Sequence, residues 1–90
     1  MSIREKIFAV LEDYNNRHTI WREEEVNGEL EYCEIDDDII NIFNEENIKD
    51  VHIEHTGMLD NTSITIYSVS VAWIENGKLC SILNYQIDDM

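Results

Sequence analysis

The densest group of side chains that could do chemistry lies between residues 23 and 38, where nine of sixteen residues are acids and none is Lys or Arg. Carboxylates can transfer protons, bind metal ions or attract a cationic partner. Each of these roles needs a different arrangement of carboxylates. The spacing of the acids, and the helices or strands on which they lie, therefore distinguish between the roles. The nine acids are Glu23, Glu24, Glu25, Glu29, Glu31, Glu34, Asp36, Asp37 and Asp38.

Metal binding is not predicted from these residues. A calcium-binding EF-hand loop that begins at Asp36 needs glycine at its sixth position and glutamate at its twelfth. Those positions hold Asn41 and Asn47. His52 and His55 are three residues apart, so on a strand they face opposite sides and cannot share an ion. We therefore predict no metal ligand and no cofactor, and interpret the aspartates as the solvated start of a helix.

Catalysis has no specific signature either. Cys33 and Cys80 are separated by 46 residues along the chain with no CxxC motif, so small buried apolar groups are the default interpretation. There is no glycine-rich phosphate loop and no GxSxG motif, and carboxylate pairs are too common in so acidic a chain to assign a general acid or base. We predict no catalytic residue, and a small enzyme is the weakest alternative.

The charge balance is the most informative property of the composition. Twenty acids against six Lys or Arg give a formal net charge of −14. Such a field repels nucleic acid and anionic membranes, because phosphate contacts require clustered basic residues. It attracts basic proteins instead.

The expected location is the cytoplasm of a bacterial cell. No apolar run reaches the roughly 18 residues that a membrane span needs. The first fourteen residues have the pattern of a charged amphipathic helix rather than of a signal peptide. In that compartment the two cysteines are expected to be reduced.

The acidic run is placed on a hairpin by its turn. Asn27-Gly28 tolerates the positive φ values of a type I′ turn, which pairs Glu25 with Leu30, Glu24 with Glu31 and Glu23 with Tyr32. Like charges placed directly opposite each other, such as Glu24 and Glu31, lower the stability of the hairpin. A sequence that keeps such pairs despite this cost is expected to use their charge to bind a partner. The shared face of Trp21, Leu30 and Tyr32 is predicted to be buried, whereas the face of Arg22, Glu24, Glu29 and Glu31 is predicted to be solvated.

The remaining elements complete one α+β domain over residues 1–90. A capping box of Ser2 and Glu5 predicts a first helix to Tyr14, and residues 39–47 predict a second. Residues 50–55 alternate as a strand before a loop at 56–61. Residues 63–75 form a strand whose apolar phase changes, which predicts a bulge near Tyr67 and Ser68 or cover on both faces. A second Asn-Gly turn leads to a last strand over residues 79–87. The predicted order is α-β-β-α-β-β-β, an antiparallel sheet with helices mainly on one face.

These observations favour a small acidic inhibitor that binds a basic, nucleic-acid-binding protein surface by imitating a phosphate backbone. Two settings share this physics: a phage antagonist of a bacterial defence nuclease, of the anti-CRISPR kind, and an immunity protein for a toxin nuclease. The alternative is a small-molecule or peptide-binding module with a pocket under Trp21, Tyr32, Tyr67 and Trp73. A merely solvated acidic face is the simplest explanation of the run.

Overall fold

The strands of the computed structural model, which describes residues 1–59 and 65–89, form two antiparallel sheets. One sheet is the hairpin β1–β2, and the other has the strand order β3-β4-β5. The element order confirms the predicted α+β class, although the single predicted sheet is divided in two. The elements are α1 (Ile3–Arg17), β1 (Trp21–Val26), β2 (Glu29–Glu34), α2 (Ile35–Glu45), β3 (Val51–Leu59), β4 (Thr65–Glu75) and β5 (Lys78–Asp89).

Helix α1 begins with the predicted capping box. The Glu5 N–H donates to Ser2 Oγ at 3.1 Å, and the Ser2 N–H donates to Glu5 Oε1 at 3.3 Å. The helix continues three residues past the predicted end at Tyr14, to Arg17, and His18 closes it in the left-handed region with φ 58°. One face of the helix is buried, and it consists of Ile3, Ile7, Leu11 and Tyr14.

Helix α2 begins immediately before the three aspartates that were predicted to lie at its start. Its first residue is Ile35, so the three aspartates lie inside its first turn, where the helix dipole favours acids. None of them is the N-cap, which is Glu34 and makes no side-chain capping bond. The buried positions Ile35, Ile39 and Phe43 recur every four residues, which fixes the face turned toward the core.

Strand β3 alternates as predicted but is longer. Val51 and Ile53 are half-buried, whereas His52 and Glu54 are exposed. The loop predicted at Thr56-Gly57 is wrong, because the strand pairs with β4 as far as Leu59. The loop predicted at 60–61 lies outside the described residues.

The irregularity in strand pairing that was predicted for β4 lies on β5 instead. Val69 pairs with Tyr85 but Val71 pairs with Ile82, so β5 holds an extra residue opposite Ser70. Asn84 occupies it with φ 55°, a backbone conformation that asparagine tolerates well. The bulge turns both Ile82 and Ile87 toward the core despite their odd separation.

Strand β4 is therefore central in the sheet but buried on one face. Val69, Val71 and Trp73 are buried, while Ser68, Ser70 and Ala72 on the other face are half-buried. Neither predicted form, a bulge at Tyr67 and Ser68 or cover on both faces, is present.

The core lies between the helices and the three-stranded sheet. The buried faces of α1 and α2 pack against the odd-numbered face of β4. The Phe43 and Trp73 rings have centroids 5.6 Å apart, and the Arg4 guanidinium lies over the Trp73 ring, 5.5 Å from its centroid. Among the described residues, no helix has the length and apolar character that crossing a membrane requires.

Candidate functional site

The acidic hairpin has the predicted turn and register. Asn27 and Gly28 both have positive φ values, 53° and 81°, as a type I′ turn requires. Glu24 lies opposite Glu31, and Glu23 lies opposite Tyr32. At the open end, the Ile35 N–H donates to the Ile20 carbonyl at 2.9 Å, which ties the hairpin to the buried residue Ile20.

The distal half of the hairpin projects from the domain. Every residue from Glu25 to Tyr32 is exposed, on both faces of the ribbon. The Cα radius of gyration is 14.0 Å, compared with about 12 Å for a compact chain of this length. The larger value agrees with a hairpin that extends beyond the core.

The predicted burial of the aromatic face is wrong. Trp21 is 47% exposed, and Leu30 and Tyr32 are each 69% exposed. The opposite face, predicted to be solvated, is the inner one: Arg22, Glu24 and Cys33 are half-buried. We call the face of Trp21, Glu23, Glu25, Leu30 and Tyr32 the outer face of the hairpin. It combines exposed apolar groups with carboxylates.

On the inner face of the hairpin, the guanidinium of Arg22 lies between two carboxylates. Arg22 pairs with Glu24, and Arg22 Nη2 lies 3.2 Å from Asp38 Oδ1 on α2. The hydroxyl of Tyr14 donates to Asp38 Oδ2 at 2.6 Å, which links α1 to the same group. Arg22 thus joins the hairpin to α2, and Tyr14 joins α1 to the same aspartate. These polar contacts explain why the apolar face of the hairpin is turned outward.

The electrostatics of this cluster shift the pKa values of its members. Burial raises the pKa of Tyr14, and the hydrogen bond to Asp38 raises it further. Burial lowers the pKa of Arg22, but the negative charge of Asp38 and its neighbours outweighs burial and leaves that pKa above its usual value. Burial also raises the pKa of the Cys33 thiol, whose Sγ lies 3.6 Å from Glu24 Oε2. A thiol held protonated is a poor nucleophile.

The nine predicted partner-binding acids fall into three groups. Glu24 and Asp38 belong to the Arg22 cluster, and Glu34 and Asp36 face His55. The other five are exposed: Glu23, Glu25, Glu29, Glu31 and Asp37. Of these, Glu23 is held in place by the hydroxyl of Tyr32, which donates to Glu23 Oε1 at 2.9 Å.

The second acidic group lies at the base of the hairpin. His55 Nε2 on β3 is 3.2 Å from Asp36 Oδ2 on α2 and 3.8 Å from Glu34 Oε2 at the end of β2. All three side chains are half-buried. His52, in contrast, is exposed and pairs only with Glu54 among the described residues. The two histidines of β3 therefore differ in surroundings, as expected for side chains on opposite faces of a strand.

The aromatic pocket of the alternative hypothesis is not formed. Trp73 is buried in the core, whereas Trp21 and Tyr32 are exposed on the hairpin. Neither the cleft between α2 and β3 nor the smaller cleft beside Trp73 and Leu79 is lined by Trp21, Tyr32 or Tyr67. The larger cleft, of about 550 Å³, lies between α2 and β3 and is lined by Asp36, Ile40, Phe43, Asn44, Ile48, Lys49, Val51, His52 and Ile53.

Two features of the site were missed from the sequence. The bridging role of Arg22 had a signal, since it is the only Lys or Arg between Arg17 and Lys49. An isolated cation among so many acids is expected to be surrounded by them. The contact between His55 and Asp36 had no signal in the sequence, because it depends on how β3 packs beside α2.

Comparison of the chain with protein-family models, with curated proteins and with solved structures found no match.

Proposed function

We propose that this protein is an acidic inhibitor that binds a basic, nucleic-acid-binding protein surface through the projecting half of its hairpin. The observation that carries the proposal is the exposure of every residue from Glu25 to Tyr32, in a segment with no basic residue. A hairpin that leaves the core in this way can enter a groove without rearrangement of the domain.

The exposed carboxylates supply the attraction. Glu23 and Glu25 are two residues apart on one strand, so their Cα atoms are about 6.6–6.8 Å apart, a spacing close to that of successive phosphates along a nucleic-acid strand. Glu29 and Glu31 repeat this spacing on the opposite face of the ribbon. Such rows attract Lys and Arg side chains and speed association at low salt.

The exposed aromatic groups supply affinity that charge alone does not. Trp and Tyr are the residues that most often dominate protein–protein binding energy, and they do so when a partner buries them. Trp21 and Tyr32 lie on the outer face beside Glu23. A surface meant only for solubility has no need of a half-exposed tryptophan, so this combination favours a binding surface over a solvated face.

The test begins with affinity capture from bacterial lysate on the immobilised protein. Capture is carried out at about 50 mM and about 500 mM sodium chloride, because screening weakens contacts between exposed charges. We expect a nucleic-acid-binding protein that is retained at the lower salt concentration and is released by excess duplex DNA or RNA. Its identity, a defence nuclease or a toxin nuclease, then separates the two biological settings.

The decisive variant reverses three exposed acids of the hairpin: Glu23→Lys, Glu25→Lys and Glu31→Lys. Glu24 is excluded, because its loss would disturb Arg22. The matched control is Glu12→Lys, Glu45→Lys and Asp88→Lys, since all three are exposed, lie elsewhere and belong to none of the ion pairs among the described residues. Both variants change the net charge by the same amount.

The hairpin variant should lose the partner while the control variant keeps it. Equal loss in both would indicate general electrostatic attraction without a shaped surface. Undiminished binding of the hairpin variant at physiological salt would contradict the proposal and direct attention to the cleft between α2 and β3.

A further inference from the structure

We infer that Glu34, Asp36 and His55 form a binding site for one divalent transition-metal ion, with Zn²⁺ as the representative ion. The three side chains come from the end of β2, the first turn of α2 and the middle of β3. One ligand atom of each lies within 4.8 Å of the other two. This inference is independent of the proposed inhibitor function.

The two distances from His55 to the carboxylates are close to those between ligands of a bound ion. Zn–N and Zn–O bonds of about 2.0–2.2 Å at tetrahedral angles place neighbouring ligand atoms about 3.3–3.6 Å apart. His55 Nε2 is 3.2 Å from Asp36 Oδ2 and 3.8 Å from Glu34 Oε2. Side-chain shifts of a few tenths of an ångström would satisfy both contacts.

The carboxylate of Asp36 supplies the second observation. Its Oδ1 atom is buried and has no hydrogen-bond partner among the described residues. A buried carboxylate oxygen without a partner is costly, and an ion or ordered water is the usual compensation. Among the described residues, His55 is the group that forms an ion pair with this carboxylate.

The donor set indicates the class of ion. Imidazole nitrogen suits zinc, copper, iron and nickel, whereas purely oxygen sites suit calcium and magnesium. One imidazole with two carboxylates therefore favours a first-row divalent ion that keeps one or more open positions. Asp36 also lines the cleft between α2 and β3, which gives an ion and its water a route to the site.

The local field favours a cation despite the adjacent helix terminus. The start of α2 carries a partial positive charge of about half a unit. Asp36, Asp37 and Asp38 lie in that same turn, and Glu34 precedes it. Their negative charge exceeds that of the helix dipole several times over.

Isothermal titration calorimetry with Zn²⁺ tests the inference on the intact chain. We expect one ion per wild-type chain and a rise in melting temperature with added Zn²⁺. His55→Gln and Asp36→Asn should each weaken binding at least about tenfold, since even residues that only support a metal ligand contribute that much. Each variant is first melted without metal, to establish that it is folded.

The matched control is the exposed pair on the same strand. His52→Gln with Glu54→Gln removes a histidine and a carboxylate whose atoms lie 3.0 Å apart but have no third ligand among the described residues. This double variant should bind Zn²⁺ as the wild type does, and so should Cys33→Ser with Cys80→Ser. Loss of binding in either control would overturn the assignment, as would a wild-type chain that binds no Zn²⁺.

A measurement on the wild type covers the case in which a ligand variant does not fold. Long-range ¹H–¹⁵N spectra of the imidazoles report which ring nitrogen coordinates the metal. Zn²⁺ should shift the Nε2 resonance of His55 and leave His18 and His52 unchanged. Shifts confined to His18 or His52, or no shift at one equivalent of Zn²⁺, would overturn the inference.

Discussion

Arg22 Nη2 lies 3.2 Å from Asp38 Oδ1, and this ion pair joins the hairpin to α2 where both side chains are largely shielded from water, 27% and 16% exposed. The pair orients the hairpin: it turns the polar face inward and leaves the aromatic face free. The stability of the domain and the availability of its proposed binding surface thus depend on the same contact.

Removal of the cation should destabilise the fold. Arg22→Gln leaves Asp38 and Glu24 facing each other without a compensating charge, and we expect the free energy of unfolding to fall by about 2 kcal/mol. Urea denaturation measures this loss.

The control for that substitution is Arg17→Gln. Arg17 pairs with Asp13 one helical turn away, but the two side chains are about half exposed. A pair of this kind contributes about 0.5 kcal/mol or less. Equal effects of the two substitutions would show that the Arg22 pair is no stronger than a surface contact.

Tyr14 predicts a loss of stability in alkaline solution. Its folded-state pKa is raised by burial and by Asp38, so the unfolded chain loses this proton first as the pH rises above about 10. Each unit of pH beyond that point should lower the free energy of unfolding by about 1.4 kcal/mol through this group. Below pH 9 the tyrosine is protonated in both states and adds no pH dependence.

The comparison with Tyr14→Phe isolates this contribution. The variant should be less stable than the wild type at neutral pH, because Asp38 Oδ2 loses a hydrogen bond of 2.6 Å. Its stability should fall less steeply above pH 10. Parallel curves for the two proteins would contradict a raised pKa at Tyr14.

Cys33 should react slowly with alkylating reagents. Its raised pKa keeps the thiol protonated at about pH 8, where an ordinary cysteine is partly ionised. In a Cys80→Ser background, iodoacetamide labelling of the folded protein should be much slower than labelling in urea. Glu24→Gln removes a neighbouring negative charge and should speed the folded-state reaction. Labelling at the rate of the unfolded chain would contradict the prediction.

Local residue chemistry predicted the elements of this fold more accurately than their packing. The Ser2 capping box and the Asn27-Gly28 turn depend on neighbouring residues alone, and both are present. The bulge depends on both strands of a pair: the phase change was assigned to Tyr67 and Ser68, but Asn84 on the partner strand carries it.

In the candidate site, too, local sequence pattern was predicted more accurately than packing. Period-2 alternation grouped Trp21 with Leu30 and Tyr32 correctly, but hydrophobicity alone indicated the wrong face as buried. The cluster of Arg22, Glu24 and Asp38 determines which face of the hairpin is buried. This cluster forms only when α2 begins early enough to place Asp38 beside Arg22. Burial of a ribbon face is a property of what it packs against. The isolated cation Arg22 was a signal in the strand sequence, but hydrophobicity alone does not use it.

The isolated protein should gain stability from salt. A net charge of −14 on 90 residues produces self-repulsion that sodium chloride screens. The melting temperature should rise between about 20 mM and about 200 mM sodium chloride, where the Debye length shortens from roughly 20 Å to 7 Å. Neutralising Glu12, Glu45 and Asp88 should reduce this response. A melting temperature that is flat or falling would indicate that the surface charge is locally compensated.

The last prediction separates the two components of the proposed binding surface. Exposed carboxylates act mainly before contact, so Glu25→Gln should lower the association rate with the captured partner and leave dissociation almost unchanged. Trp21 and Tyr32 act after contact, when the partner buries them. Trp21→Ala or Tyr32→Ala should therefore speed dissociation and weaken the complex by about 2 kcal/mol, roughly thirtyfold in affinity.

The aromatic substitutions need a control for lost packing. Leu79→Ala removes a side chain that is 74% exposed on the three-stranded sheet, away from the hairpin, and should alter neither rate. Tyr32→Phe distinguishes the ring from the hydroxyl that holds Glu23 at 2.9 Å. If the ring is the anchor, the phenylalanine variant keeps slow dissociation. If dissociation is unchanged in all the aromatic variants, the carboxylates alone carry the interaction, and the outer face of the hairpin is not its contact surface.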